Sequence, residues 1–340
     1  MPDPSRPRRA ALPTIRGRDA LVAAVQSYRA GRVILSAFEL GLFSLLADGE
    51  KSAAGVAKEA GVEPRACDRL LNALCALGLV RKTGDRFRNA SLARRLLVAG
   101  RPGFMAGLGH SAAQWRSWAT LTEAVRRGRA VAARPAVRGD EKRRRAFIAA
   151  MHERARVQAP RIVARLDLSR ARRCLDIGGG SGAYAVALCR ARPGLRVTVF
   201  DLPGVIEIAR ELVARERPPG RIDFLAGDFR RGGFGRGYDL ALLSAVVHMN
   251  GAGQNRRLIA RAAAALTPGG QLVIQDFIMD ESRTRPAAGA FFALNMLVST
   301  RSGDAYTARE ISGWMRAAGL VRIRRLATPY DASLLVGWKP

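Results

Sequence analysis

The sequence predicts two parts: an N-terminal, mostly helical winged-helix module, and an α/β domain whose mainly parallel sheet ends in an antiparallel last strand. Three observations predict this. Over residues 19–88 helically spaced apolar residues give way to two short strands about a Thr83-Gly84-Asp85 turn. From Ala171 onward strand-length apolar runs alternate with helical stretches. The last two strand-like segments are joined by a link too short for a parallel crossover.

Residues 1–18 carry three prolines before residue 8 and scattered arginines without periodicity, which predicts a disordered arm. Leu21, Val22, Val25, Tyr28, Val33, Ile34, Ala37 and Phe38 recur at helical spacing and predict an apolar helix from Leu21 to Phe38. Ser52–Gly61 reads as a short helix closed by glycine, and Pro64 suits the start of the next one. That helix, Arg65–Leu77, stacks Leu70, Leu71, Leu74 and Leu77 on one face, and Leu79–Arg88 follows as a hairpin. Residues 19–100 therefore form a winged helix, which can either read DNA or pack subunits together. Its second helix offers few polar groups (Arg65, Asp68, Arg69 and Asn72), which favours packing and a two-fold homodimer.

Residues 101–160 read as a helical connector rich in large apolar side chains, broken near Arg134-Pro135. Residues 161–340 supply strands at Arg172–Ile177, Arg196–Phe200, Ile222–Leu225, Tyr238–Leu243 and Gln271–Phe277, with helices between them. Thr267-Pro-Gly-Gly270 reads as the loop that stops the helix Gln254–Leu266. Thr307–Ala318 is a hydroxyl-capped helix, and Leu320–Leu326 and Ser333–Trp338 close the sheet.

Between the first strand and the first helix of this half stands Asp176-Ile-Gly-Gly-Gly-Ser-Gly182. Gly178, Gly180 and Gly182 let backbone approach a ligand closely. Asp201 ends the second strand, where a carboxylate can accept both ribose hydroxyls. Gly227-Asp228-Phe229 ends the third: Asp228 suits an adenine amino group and Phe229 its ring face. Asp176 is not needed by a pyrophosphate and suits an ammonium instead. Adenosine with an amino-acid tail is S-adenosylmethionine (SAM).

With these residues in view the chain resembles the small-molecule O-methyltransferases of the caffeate and acetylserotonin type, over residues 20–340. Leu175-Asp-Ile-Gly-Gly-Gly-Ser-Gly182, Phe200-Asp-Leu-Pro203, Gly227-Asp-Phe229, Val247-His248 and Leu266-Thr-Pro-Gly-Gly270 carry the resemblance. It implies a Rossmann-like class I methyltransferase fold, SAM as cofactor, a small-molecule acceptor, and a homodimer through the N-terminal module. It further implies that Leu202 and Ser244 lie at cofactor positions, that His248 is the general base, and that Asp276 orients it. The second acidic residue of the family pattern is replaced by Ala305, beside Asp304, and His248-Met-Asn250 departs from the usual His-Asp-Trp. A thiol or thioether acceptor, needing no base, is therefore the alternative acceptor class. By the same alignment Phe292, Asn295 and Met296 are candidate pocket walls, with Met151 and Trp115 from the connector, although core packing explains each as well.

Net charge is +29, which ordinarily points to nucleic acid. Only five of the 57 basic residues are lysine, however, and they are spread along the chain, the pattern codon bias in a GC-rich genome produces. A DNA-binding regulator is thus the reading from another class. No apolar run approaches membrane-span length, so no membrane partner is expected. Cysteines at 67, 75, 174 and 189 have neither disulfide-framework nor metal-site spacing, which predicts free thiols, no metal, and a cytoplasmic location.

Overall fold

The computed structural model describes residues 14–132 and 140–340. Most of the expected arm and the Arg134-Pro135 break lie outside the described residues. The chain divides into two compact units, one ending at Trp115 and the other running from Arg116 to Pro340.

In the first unit come α1 (Arg18–Gln26), α2 (Tyr28–Glu39), α3 (Leu42–Leu45), β1 (Lys51–Ser52), α4 (Ala53–Ala60), α5 (Pro64–Ala76), β2 (Val80–Thr83), β3 (Arg86–Asn89) and α6 (Ser91–Leu96), and α7 (Leu108–Trp118) leaves it. The single helix expected from Leu21 to Phe38 is instead two helices. They part at Ser27, whose hydroxyl donates to the Ala24 carbonyl rather than leaving that carbonyl to the helix ladder. Ser52 caps α4 by accepting from the Gly55 N–H, and Glu63 caps α5, which starts at Pro64. On α5 it is Cys67, Leu71 and Leu74 that are buried, while Leu77 falls at the C-cap and is exposed. The wing gains a third strand, in the order β1-β3-β2. Buried Asn89 ties it to α3, its amide donating to the carbonyls of Phe43 and Leu46.

In the second unit α8 (Leu121–Arg127) and α9 (Glu141–Val163) lead into β4 (Arg173–Ile177), α10 (Ala183–Ala191), β5 (Arg196–Asp201), α11 (Pro203–Glu216), β6 (Arg221–Ala226), β7 (Tyr238–Ser244), α12 (Ala252–Ala265), β8 (Leu266–Asp276), α13 (Ala287–Ser299), α14 (Ala308–Ala317), β9 (Val321–Ala327) and β10 (Ser333–Trp338). The sheet order is β6-β5-β4-β7-β8-β10-β9. Every pair up to β8 is parallel, and β10 runs antiparallel to both its neighbours. Successive strands therefore move outward from β4 to β6, then restart at β7 on the other side of β4. The carboxyl end of β4 is the switch point at which such sheets bind ligands.

Alternation along the strands divides the core. Leu175, Ile177, Leu243 and Ile274 face the cluster that includes α12 and α14 residues. Cys174, Leu240, Leu242 and Val273 face the one built with α9 and α10. Thr267–Gly270, expected as a loop, belongs to β8. Gly269 donates to the Lys339 carbonyl and Lys339 to Gly270, while a register shift between Tyr238 and Leu240 accommodates the Pro-Gly-Gly segment as an irregularity at the strand's start. Thr307 caps α14 as expected, accepting from the Glu310 N–H while the Glu310 carboxylate accepts from the Thr307 N–H.

Candidate active site

At the switch point the chain turns sharply from β4 into α10. Gly178 (φ 70°) and Gly182 (φ 76°) are both left-handed, and neither has space for a side chain. A Cβ would lie 2.7 Å from the Val246 methyl at the first and 2.6 Å from the Val213 methyl at the second. Gly180 donates its N–H to Asp201 Oδ2 at 2.9 Å, and Leu202 donates to Asp201 Oδ1 at 2.7 Å, so Asp201 braces the glycine turn from the end of β5. Burial raises the Asp201 carboxyl to about 6, against the lowering effect of those two N–H groups. Leu202, half-buried, leads into α11 and packs beside Ile148, Val205 and Ile208.

Asp176 lies beneath the turn and is fully buried, and neither of its oxygens has a hydrogen-bond partner. Burial first, and the nearby Asp201 charge second, raise it to about 7. An orphaned buried carboxylate is costly unless a ligand uses its charge. The cost has a pH signature. The folded value exceeds the ordinary 3.8, so the folded chain holds the proton more tightly. The penalty is absent below about 3.8 and complete once pH has risen through about 7. Between pH 5 and pH 8 the ligand-free chain should therefore lose roughly 1–3 kcal/mol of stability through this group. Urea titrations should show a smaller loss in Asp176→Asn; an identical pH dependence in the variant would show that Asp176 is not strained.

Phe229 stands beside the glycine turn, its ring 3.8 Å from where a Gly178 Cβ would be. The neighbouring Asp228 is already engaged: its Oδ1 accepts from the Arg230 N–H and Nε, and its Oδ2 from Nη2. An adenine amino group at Asp228 must share or displace that guanidinium.

His248 sits in a single 3₁₀ turn, Val247–Met249, just past β7. Its Nδ1 is 2.8 Å and 3.0 Å from the two Asp276 oxygens, and its backbone N–H donates to Asp276 Oδ2. Asp276 also accepts from the Phe277 N–H, which fixes the carboxylate in turn. Nε2 has no partner among the described residues. The ring meets Phe292 edge-on at 4.7 Å, and Phe292 lies 4.5 Å from Phe277. Asp304 supplies its backbone N–H to the His248 carbonyl, but its carboxylate caps Ala305 and faces Arg283 at 3.6 Å. Asp304 thus steadies the backbone of His248 without reaching its ring. Asn250, where the expected pattern differs, gives its carbonyl to the Tyr306 hydroxyl.

The other expected residues divide. Phe292 and Asn295 lie on α13, and Asn295 Oδ1 accepts from Trp118 Nε1 at 3.0 Å. Met296 is on the same helix and buried. Met151 is on α9, one turn before Arg154, which lies over the Phe277 ring. Trp115 belongs to the N-terminal unit, where its ring stands 6.2 Å from Tyr28 and beneath Arg32. Ser244 donates to Gln275 Oε1, which also accepts from the Tyr184 hydroxyl at 3.1 Å. Gln275, Tyr184, Phe277 and Trp118 went unrecognised as site residues. Gln275 alone had a sequence signal, a polar residue closing the apolar run Leu272-Val-Ile274.

A glycine turn at the switch point, acidic residues ending successive strands, and a histidine–aspartate pair past the fourth define a class I methyltransferase fold. Comparison with known proteins agrees. An O-methyltransferase domain matches residues 118–321, and an O-methyltransferase dimerisation domain matches residues 22–99. The chain is 35% identical, over 91% of each chain, to a 3-hydroxy-5-methyl-1-naphthoate 3-O-methyltransferase of Streptomyces sahachiroi. It is 32% identical, over 96% of its length and 98% of the relative's, to the tetracenomycin polyketide 8-O-methyltransferase of Streptomyces glaucescens. Human N-acetylserotonin methyltransferase, solved in complex with SAM, superposes with a TM-score of 0.79 at 26% identity, covering 96% of this chain and 99% of that one. The chain belongs to the family of SAM-dependent O-methyltransferases that carry an N-terminal dimerisation domain. It methylates hydroxyl groups of small molecules. The orphaned carboxylate of Asp176 and the turn that a Cβ at Gly178 or Gly182 would fill both fit SAM.

Proposed function

We propose that the chain methylates a phenolic hydroxyl of a fused aromatic, polyketide-type molecule, with His248 as general base. The carrying observation is the pairing of His248 Nδ1 with Asp276 while Nε2 is left without a partner. A carboxylate on Nδ1 holds the tautomer whose Nε2 lone pair can accept a proton, and it stabilises the imidazolium that results. Phe292 against the His248 ring, with Phe277 against Phe292, offers an aromatic wall, which suits a flat acceptor. Two relatives support the same class, one named for a hydroxylated methylnaphthoate and one for tetracenomycin polyketide synthesis.

In this reading Gly178, Gly180 and Gly182 cradle the cofactor, Asp201 with Leu202 holds the ribose, and Asp228 with Phe229 holds the adenine. Asp176 supplies negative charge for the ammonium, and Ser244 holds Gln275. SAM, when bound, supplies a methyl group on a good leaving sulfur. The chain's own work is to orient the acceptor, exclude water with Phe277, Phe292 and Met296, and take the hydroxyl proton at Nε2. Asn295, pinned by Trp118, and Met151 complete the acceptor wall. Assaying a panel of naphthols and hydroxynaphthoates with methyl-labelled SAM tests the acceptor class. Transfer to a phenolic oxygen supports it; transfer confined to thiols overturns it.

A homodimer is part of this proposal. Helix α1 buries none of its residues, and Leu21, Val22, Val25 and Tyr28 are all exposed, an apolar face unusual for a surface that meets only water. Leu21→Glu with Val25→Glu should convert a dimer of about 73 kDa, twice the 36.7 kDa chain, to monomer in sedimentation equilibrium. A wild-type chain already monomeric at micromolar concentration would contradict it. Four free cysteines support a reducing compartment, the cytoplasm. No helix among the described residues is long and apolar enough to cross a membrane.

A further inference from the structure

A single 3₁₀ turn makes few bonds of its own, so the place of His248 depends on what grips the backbone of Val247–Met249. Part of that grip comes from the segment just before α14. Asp304 donates its N–H to the His248 carbonyl at 3.0 Å, and the buried Tyr306 hydroxyl donates to the Asn250 carbonyl at 2.6 Å. Asn255 Nδ2 also donates to the Asn250 carbonyl, but at a longer 3.4 Å. Gly303 lies so close to the turn that a Cβ there would overlap the His248 carbonyl oxygen. The segment is itself anchored. Tyr306 gives its carbonyl to the Met279 N–H at 2.9 Å and sets its ring against Trp314, with centres 4.8 Å apart. Arg283 donates to the Ala305 carbonyl at 3.0 Å and to Glu310 Oε1 at 2.8 Å. Burial, ahead of the Asp304 charge, raises the Tyr306 hydroxyl to about 12, so it remains a donor through the neutral range.

Ala305 stands where the family pattern has its second acidic residue, and the Asp304 carboxylate faces Arg283. Among the described residues Asp276 therefore holds the His248 ring without help from a second carboxylate. We propose that residues 303–306 supply the missing constraint from the backbone side, with Tyr306 as a positioning residue that fixes where His248 Nε2 points. The inference rests on His248 acting as general base. Asp276 grips His248 by its ring and its N–H, whereas the segment grips it by its carbonyl and, through Tyr306, two residues further on. Holding the residue at both ends leaves the imidazole little freedom to tilt. A base that tilts away from the acceptor proton loses rate steeply, because proton transfer needs hydrogen-bond reach.

Turnover of a naphthol and SAM affinity, measured for Tyr306→Phe and Gly303→Ala alone and for Tyr306→Phe combined with His248→Ala, decide it. Tyr306→Phe removes one hydroxyl and keeps the ring. It should lower kcat about 5–50-fold while the Kd for SAM stays within about twofold of wild type, and Gly303→Ala should lower kcat further. In the His248→Ala background Tyr306→Phe should change the residual rate by less than about twofold, since no base remains to be positioned. Its deficit should also shrink on more acidic naphthols, as lost alignment of a base requires. An equal loss in both backgrounds, or SAM affinity falling in parallel with kcat, would show that Tyr306 merely supports the fold, and would overturn the proposal. So would wild-type kcat in either single variant. Full activity of His248→Ala would instead remove the general-base reading, and the proposal with it.

Discussion

Replacing His248 by alanine should lower kcat by about 10²–10⁴-fold, the usual contribution of a positioned general base, while SAM affinity stays unchanged. The separation follows from geometry. His248 is held by Asp276 and by the backbone of Asp304, and none of its contacts involves the glycine turn or Asp201. Asp276→Asn should cost less, because the ring remains while its tautomer control and charge stabilisation are weakened. With Ala305 in place of a second acidic residue and the Asp304 carboxylate turned to Arg283, Asp276 is the one carboxylate among the described residues that meets the ring. The Asp276→Asn loss should accordingly be confined to kcat. A SAM affinity that falls in parallel with turnover in His248→Ala would mean that the histidine builds the cofactor site instead.

The second large effect belongs to Asp201. Its two oxygens hold the N–H groups of Gly180 and Leu202, and in the proposed reading the same carboxylate also accepts the ribose hydroxyls. Asp201→Ala removes the ribose acceptor and loosens the turn together. SAM binding should weaken by about 1.5–3 kcal/mol, roughly 10–150-fold in Kd. Titration of SAM into the variant measures this directly, and unchanged affinity would remove Asp201 from the cofactor site. Asp201→Asn should recover part of the loss, since its amide oxygen still accepts one bond.

How much of this was legible in the sequence depends on how local each signal is. The glycine turn, Asp201 and Phe229 could be read because each terminates a strand whose apolar run marks it. His248 was legible through resemblance and its place after a strand, and Asp276 in the same way. The break at Ser27 was not, since Leu21 to Phe38 keeps helical spacing across it. Nor was the strand character of Thr267–Gly270, which depends on a partner, Lys339, some seventy residues away. The ion pair between Asp228 and Arg230 was hidden for a different reason: in an arginine-rich chain one more arginine carries no signal. Of the pocket candidates, Phe292 is the one whose ring meets His248, and its place on α13 follows the histidine–aspartate pair in chain order.

The central claim is that His248 removes the proton of a phenolic acceptor, and the response of His248→Ala to acceptor acidity tests it most directly. Ring-substituted naphthols of decreasing pKa should be assayed with wild type and variant under saturating SAM. As the acceptor becomes acidic enough to ionise unaided, the base has less to do, and the variant's deficit should shrink from about 10²–10⁴-fold toward unity. A deficit that stays constant across the series, or no deficit with any phenol, would contradict general-base catalysis by His248.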